Sequence, residues 1–194
     1  GNHEETSLSN YNLPPDAINS NKVPIWAQNA RNLYYPVPGP DDPVTGTFYT
    51  GNGTTLPGIG QLRDYYAWQW GDALFVVIDP YWSSAAQVDT GLGGTDSSTP
   101  KTTDLWQVTH GDAQYLWLKQ TLEKSTASYK FVFSHNLVGG VNPSVNGVDQ
   151  GPMRGGVEAA KYLEWGGYNL DGTYGFSTYR PNLAMPIHQL LVAN

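Results

Sequence analysis

Residues 65–79 read YYAWQWGDALFVVID, and this stretch decides the fold of the chain. The aromatic run Tyr66 to Trp70 is rich in residues that favour strands, and the pair Gly71-Asp72 is a turn signal. An uninterrupted apolar run, Ala73 to Ile78, follows the turn. Two strands joined by so short a turn predict an antiparallel hairpin. A second strand that is apolar at every position indicates a sheet covered on both faces.

A helix and a third strand follow the hairpin. Asp112 is a suitable N-cap for a helix over Ala113 to Lys124, whose inward face would carry Tyr115, Leu118 and Leu122. The sequence Lys-Phe-Val-Phe-Ser at 130–134 then predicts a buried strand that delivers His135 at its C-terminal end. Ligands collect at that end of the strands in α/β sheets.

The rest of the chain is turn-rich, with 22 Gly and 14 Pro in all. Periodicity and proline placement predict a few more short elements within it. These are a helix over Pro24 to Leu33 with an apolar stripe, a short strand at 48–50, an exposed excursion at 83–103, a helix at 158–163 and a last helix over Ile187 to Val192.

Composition excludes several classes of function. A chain of 194 residues that is 39% hydrophobic suits one domain with a real core. Cysteine is absent, so disulfides, thiolate metal sites and cysteine nucleophiles are excluded, and any metal needs His, Asp, Glu or Asn ligands. A net charge of −7 argues against nucleic acid as the main partner. The longest apolar run, 73–78, is too short to span a bilayer.

Four histidines and two carboxylates are the candidates for chemistry. His135 after its strand suits a metal ligand or a general base, and equally a ring that is hydrogen-bonded to the backbone. Structural roles suit His110 and His188. Asp72 and Asp79 flank a strand and could act as an acid and base pair, although a turn role and a strand-end role fit them better. No nucleophile elbow and no phosphate-binding loop occur.

Four stretches, taken in their order along the chain, resemble the calcineurin-like metallophosphoesterase superfamily, which includes purple acid phosphatases. They are GNHE at 1–4, residues 65–79, QYLWLKQTLE at 114–123 and YKFVFSH at 129–135. The resemblance implies an α/β (α+β) fold: a four-layer β-sandwich flanked by helices, with a dinuclear metal centre at the strand ends. Residues 1–194 would form a single partial domain, incomplete at both ends.

The resemblance also implies roles for individual residues. Asn2 and His135 match ligands of the second metal, and Asn2 can contact the phosphate as well. His3 matches the histidine that stabilises the transition state or protonates the leaving group. Independently of the resemblance, Arg154 could contact an anion, and a role as an ordinary surface arginine suits it equally. The cofactors would be two metal ions (Fe, Mn or Zn), and the substrate a small phosphate mono- or diester.

Three metal-binding motifs of that superfamily are missing from the 194 residues: Asp-x-His, Gly-Asp-x-x-Asp/Asn and Gly-His-x-His. They would lie before Gly1 and after Asn194 in a longer parent. We therefore expect the parent to hydrolyse phosphate esters and this piece to be inactive alone.

A non-enzymatic, secreted carbohydrate- or ligand-binding domain is the alternative, because the chain is acidic and rich in Trp, Tyr and Gly. In either case, aromatic residues in the loops could line a cleft, although core packing also suits them. The sequence favours a periplasmic or extracellular location and leaves the oligomeric state open. The aromatic candidates are Trp82, Tyr168, Tyr174 and Tyr179.

Overall fold

The computed structural model describes residues 11–12, 22–35, 37, 49–79, 110–134 and 173–194, which form a mixed α/β arrangement. The strands are β1 (Tyr49–Gly51), β2 (Thr55–Leu56), β3 (Gly60–Gln61), β4 (Tyr66–Trp70), β5 (Ala73–Ile78) and β6 (Tyr129–Ser134). The helices are α1 (Lys22–Tyr34), α2 (Gly111–Lys124), α3 (Phe176–Tyr179) and α4 (Ile187–Ala193).

Four strands form one mixed sheet in the order β1-β4-β5-β6, and β2 pairs separately with β3. The predicted hairpin of β4 and β5 is confirmed, with Trp70 opposite Ala73. Gly71 has φ +58°, as the first central position of a type II′ turn requires. β6 pairs in parallel with β5. A parallel pair needs a long crossover connection, and α2 lies within it.

One face of this sheet packs on helices and forms the core. Leu74, Val76 and Ile78 point to it from β5, and Tyr115 meets them from α2. The Tyr115 hydroxyl donates to the carbonyl of Met185, which ties α2 to the segment before α4. The full cluster of buried residues is Ala67, Leu74, Val76, Ile78, Tyr115, Leu118, Leu122, Ala127, Ile187 and Leu190.

The other face of the sheet is aromatic and only half covered. The Phe75 ring stacks between the rings of Trp68 and Phe131, with centroid separations of 5.1 and 5.4 Å. Phe131 is 47% exposed. Burial along β5 alternates, so the expectation of a sheet covered on both faces is met on one face alone. We call this surface the aromatic face; its residues are Tyr66, Trp68, Trp70, Phe75, Val77, Tyr129, Phe131 and Phe133.

Helix α1 starts two residues before the predicted Pro24, and its apolar stripe is buried only in part, with Ile25 packed against Ile59 and Leu62. Trp26 and Leu33, two members of its apolar stripe, are 60% and 75% exposed. Polar side chains of the helix also donate to main-chain carbonyls of the segment that carries β3. For example, Asn29 Nδ2 bonds to the Gly58 carbonyl at 2.9 Å and Asn32 Nδ2 to the Gln61 carbonyl at 3.3 Å.

The start of α2 corrects one prediction. The helix begins at Gly111 with His110 at the N-cap position, so Asp112 lies in the first turn and is not the cap. Gly111 has φ +71°, a value that suits glycine. The buried face of the helix is as predicted.

The exposed excursion predicted at 83–103 and the helix predicted at 158–163 lie outside the described residues. Among the residues that are described, no helix has the length and apolar character needed to cross a bilayer.

Candidate functional site

Three strands end, and one begins, at the same edge of the sheet. Ile78 at the end of β5 lies opposite Ser134 at the end of β6. Next to them, Val77 lies opposite Tyr66, the first residue of β4, and Tyr66 lies opposite Gly51, the last of β1. The chain segments just beyond this edge carry buried polar side chains. We call them the polar edge: Asn52, Asp64, Asp79 and Gln114.

Asn52 and Asp64 form the first contact of the polar edge. The Asn52 side-chain oxygen accepts a hydrogen bond from the Thr54 amide at 2.9 Å. This contact sets the orientation of the side-chain amide, so its Nδ2 faces Asp64 Oδ1, to which it donates at 2.7 Å. The Asn52 main chain also donates to the Tyr65 carbonyl at 2.9 Å, which extends the pairing of β1 with β4.

Gln114 and Asp79 form the second contact. Gln114 is in the second turn of α2, and its side chain binds both main-chain groups of Asp79. The Asp79 amide donates to Gln114 Oε1 at 2.8 Å, and Gln114 Nε2 donates to the Asp79 carbonyl at 2.7 Å. The side-chain amide thus takes the place of a neighbouring strand at the point where β5 ends.

The electrostatics of Asp64 are unusual for a carboxylate. Its side chain is 2% exposed. No lysine, arginine or histidine of the described segments forms an ion pair with it. Burial, followed by the negative charge of Asp79, raises the pKa of Asp64 to about 7, while the hydrogen bond from Asn52 opposes the rise. Asp64 therefore exchanges its proton near neutral pH.

Asp72 does not pair with Asp79. The two residues lie at opposite ends of β5, roughly 20 Å apart at the rise of an extended strand. Asp72 Oδ1 accepts from the Ser128 amide at 2.9 Å, and its carbonyl accepts from the Tyr129 amide at 3.1 Å. The first of these bonds lowers the pKa of Asp72. Asp72 is thus a turn residue that joins the hairpin to the start of β6.

The residues predicted to carry the chemistry lie outside the described residues. They are Asn2, His3, His135 and Arg154, and the same holds for Trp82 and Tyr168. Among those that are described, His110 is buried and its carbonyl lies 3.5 Å from Gln114 Nε2. The part of the chain that the structure describes holds no group of three or more His, Asp or Glu placed to bind a metal.

Asp64 and Gln114 were not singled out by the sequence. Gln114 stands 35 positions from Asp79, and no local pattern marks such a contact.

A comparison of the sequence with family models, curated proteins and solved structures finds no match.

Proposed function

We propose that this chain is part of a metal-dependent phosphoesterase, which hydrolyses small phosphate mono- or diesters at a dinuclear metal centre. In this proposal Asn2 and His135 ligate the second metal. His3 stabilises the leaving oxygen or protonates it, and Arg154 contacts the phosphate.

The parallel pairing of β5 and β6 is the observation that supports it best. Ile78 and Ser134 are paired at the final position of the two strands. Ser134 is the residue directly before His135 in the sequence, and Asp79 directly follows Ile78. The chain therefore reaches His135 from the strand end where α/β proteins bind their ligands. Buried polar groups at this edge are consistent with a site there.

The chemistry follows from the residue types. Two metal ions, when bound roughly 3.5–4 Å apart, activate a water and neutralise the charge of the phosphoryl group. His3 can give a proton to the leaving oxygen because a histidine titrates near neutral pH. Arg154 offers a planar group of donors that matches phosphate oxygens. Asn2 supplies a neutral amide oxygen, a ligand type that hard cations accept.

The finer fold is part of the same proposal. A four-layer sandwich places a second sheet against the aromatic face, about 10 Å away. The stacked rings of Trp68, Phe75 and Phe131 support this, since they form a continuous apolar surface that a second sheet could cover. Helices already cover the opposite face of the sheet, so one additional sheet and its own helices complete four layers.

A binding domain without catalysis is the second candidate, and the same surface favours it. Trp70 and Tyr129 are the most exposed members of the aromatic face. Exposed aromatic side chains give an amphipathic surface that can contact a sugar or another ligand. This candidate needs no metal and no role for His135.

The test of the phosphoesterase is hydrolysis of an aryl phosphate by the protein as its gene encodes it, with and without a chelator. We expect activity that the chelator removes and added Mn²⁺ or Zn²⁺ restores. His135→Ala should lower the activity by at least about 10- to 100-fold, the loss seen when a residue that merely supports a metal ligand is removed. His188→Ala is the matched control, because His188 is exposed on α4.

Two results would decide against the phosphoesterase proposal. Hydrolysis unaffected by the chelator would remove the metal centre from the proposal, and full activity of His135→Ala would remove its ligand. Binding of an oligosaccharide that Trp70→Ala abolishes, in a protein with no esterase activity, would establish the second candidate instead.

A further inference from the structure

A second inference concerns Asp64 and does not depend on the proposed function. Asp64 precedes β4, and Asp79 follows β5, so the antiparallel pairing of these strands puts both carboxylates at the polar edge. Both residues are buried. Tyr66 lies opposite Val77, so the same register continued by two positions puts residues 64 and 79 opposite each other. Two buried carboxylates in neighbouring positions repel, and both can remain charged only at a considerable cost in free energy.

The contact with Asn52 shows where a proton would go on Asp64. Asn52 Nδ2 is a donor and occupies Asp64 Oδ1. The neutral acid therefore carries its proton on Oδ2, and Asn52 can donate to Oδ1 in both protonation states, more strongly to the charged one. Asp64 can gain or lose a proton with this bond in place, while the charged form bears the cost of burial and the repulsion from Asp79.

Among the described residues, no cation forms an ion pair with Asp64. Tyr65 stays protonated, because burial and the charge of Asp64 raise its pKa to about 12. The Arg31 guanidinium donates to the carbonyl of Arg63, and Arg63 Nη1 donates to that of Val37 at 3.0 Å. His110 contacts Gln114 through its main-chain carbonyl, 3.5 Å from Gln114 Nε2.

We propose that Asp64 is a proton-controlled latch for the end of β5. With Asp64 neutral, the Gln114 amide holds the Asp79 main chain closed against α2. With Asp64 charged, the repulsion between Asp64 and Asp79 opposes the closed form, and the Gln114 contact opens more often. The sheet edge therefore loosens as the pH rises.

The direction of this pH dependence follows from the linkage between proton binding and the stability of the closed state. The pKa of Asp64 is raised in the closed state to about 7, against an ordinary value near 4. The closed state thus holds a proton that the open state releases between these values. Its stabilisation is complete below pH about 4, declines as the pH rises, and is lost above about 7.

Hydrogen exchange of the Asp79 amide tests the latch, because this amide is held by Gln114 Oε1. Between pH 6 and pH 8, after correction for intrinsic exchange, we expect its protection to fall about tenfold. Asp64→Asn keeps an oxygen for Asn52 and cannot ionise, so its protection should be the same at both pH values. Asp72→Asn, which changes an exposed carboxylate of the same hairpin, should leave the tenfold fall intact.

Equal protection of the unmodified chain at both pH values would overturn the latch, and so would an unchanged fall in Asp64→Asn. If Asp64→Asn does not fold, the carbon-13 shift of the Asp64 carboxyl group in the unmodified chain decides the matter. A midpoint above pH 6 supports the proposal, and a midpoint below pH 5 refutes it.

Discussion

Gln114 binds Asp79 at both of its main-chain groups, with distances of 2.8 and 2.7 Å. The contact joins a helix to the last position of a strand by a side chain that imitates strand pairing. Gln114 is buried, so neither main-chain group has water as a substitute. This one side chain therefore holds the end of β5 at the edge where β6 also ends.

Gln114→Leu should destabilise the chain strongly. The change keeps the side-chain size and leaves the amide and carbonyl of Asp79 without these partners, which costs about 2–4 kcal/mol. Urea unfolding followed by circular dichroism measures the loss. Gln120→Leu on the exposed side of the same helix is the control and should change stability by less than about 0.5 kcal/mol. Equal effects of the two changes would contradict the prediction.

Asp72 should make stability depend on pH in the direction opposite to Asp64, and Asp72→Asn should remove that contribution. The Ser128 amide stabilises the charged carboxylate and lowers the pKa of Asp72. Its stabilisation is therefore present above pH about 4 and lost as the pH falls below that value. Melting temperatures at pH 3 and pH 7 measure this. The variant should melt below the unmodified chain at pH 7, and the gap should narrow at pH 3. A gap that widens in acid would refute it.

A buried glutamine on α1 should matter more than an exposed tryptophan. Gln28 Nε2 donates to the carbonyl of Leu62 and, at 3.1 Å, to Asn32 Oδ1. Gln28→Ala should therefore cost about 2 kcal/mol, because the buried carbonyl loses its partner. Trp26→Ala should cost less than about 1 kcal/mol, since Trp26 is 60% exposed. Chemical unfolding of both variants checks the order, and the reverse order would disprove it.

Within the aromatic face, the central ring should contribute most. Phe75 contacts Trp68, Phe131 and Phe133, at centroid distances of 5.1, 5.4 and 6.4 Å. Phe75→Ala should cost about 2–3 kcal/mol through lost stacking and burial. Phe131→Ala, on the outer strand, should cost about 1 kcal/mol. Thermal unfolding of the two variants distinguishes them, and equal losses would show that stacking at Phe75 adds nothing.

Local patterns predicted the elements well. The hairpin turn at Gly71, the buried face of α2 and the strand before His135 were all predicted from short stretches. Each depends on neighbours within a few positions, where propensity and periodicity act directly. The strand before His135 was expected to be buried, and this was wrong, because its outer face, which carries Phe131 and Phe133, is exposed. The N-cap of α2 was misplaced because Gly111 adopts a left-handed conformation that no local pattern signalled. The polar packing of α1 was also unforeseen, because its partners lie some thirty positions away.

The candidate site, like the fold, has a part that was predicted from the sequence and a part that depends on long-range contacts. Asn2, His3, His135 and Arg154 remain predictions, since they lie outside the described residues. The polar edge could not be predicted, because strand pairing alone brings Asp64 near Asp79. From the sequence, Asp72 and Asp79 were candidates for an acid and base pair, yet they lie at opposite ends of β5.

The sequence by itself determined the hairpin of β4 and β5, the helix α2 and the apolar core of the sheet, since these depend on local propensity and side-chain periodicity. Tertiary structure decided which polar groups lose their water. Asp64, exposed in an unfolded chain, becomes a buried acid with a pKa near 7 because β4 and β5 pair and α2 covers their end. Burial and the proximity of another charge arise from long-range packing, so neither can be predicted from residues that are neighbours in the sequence.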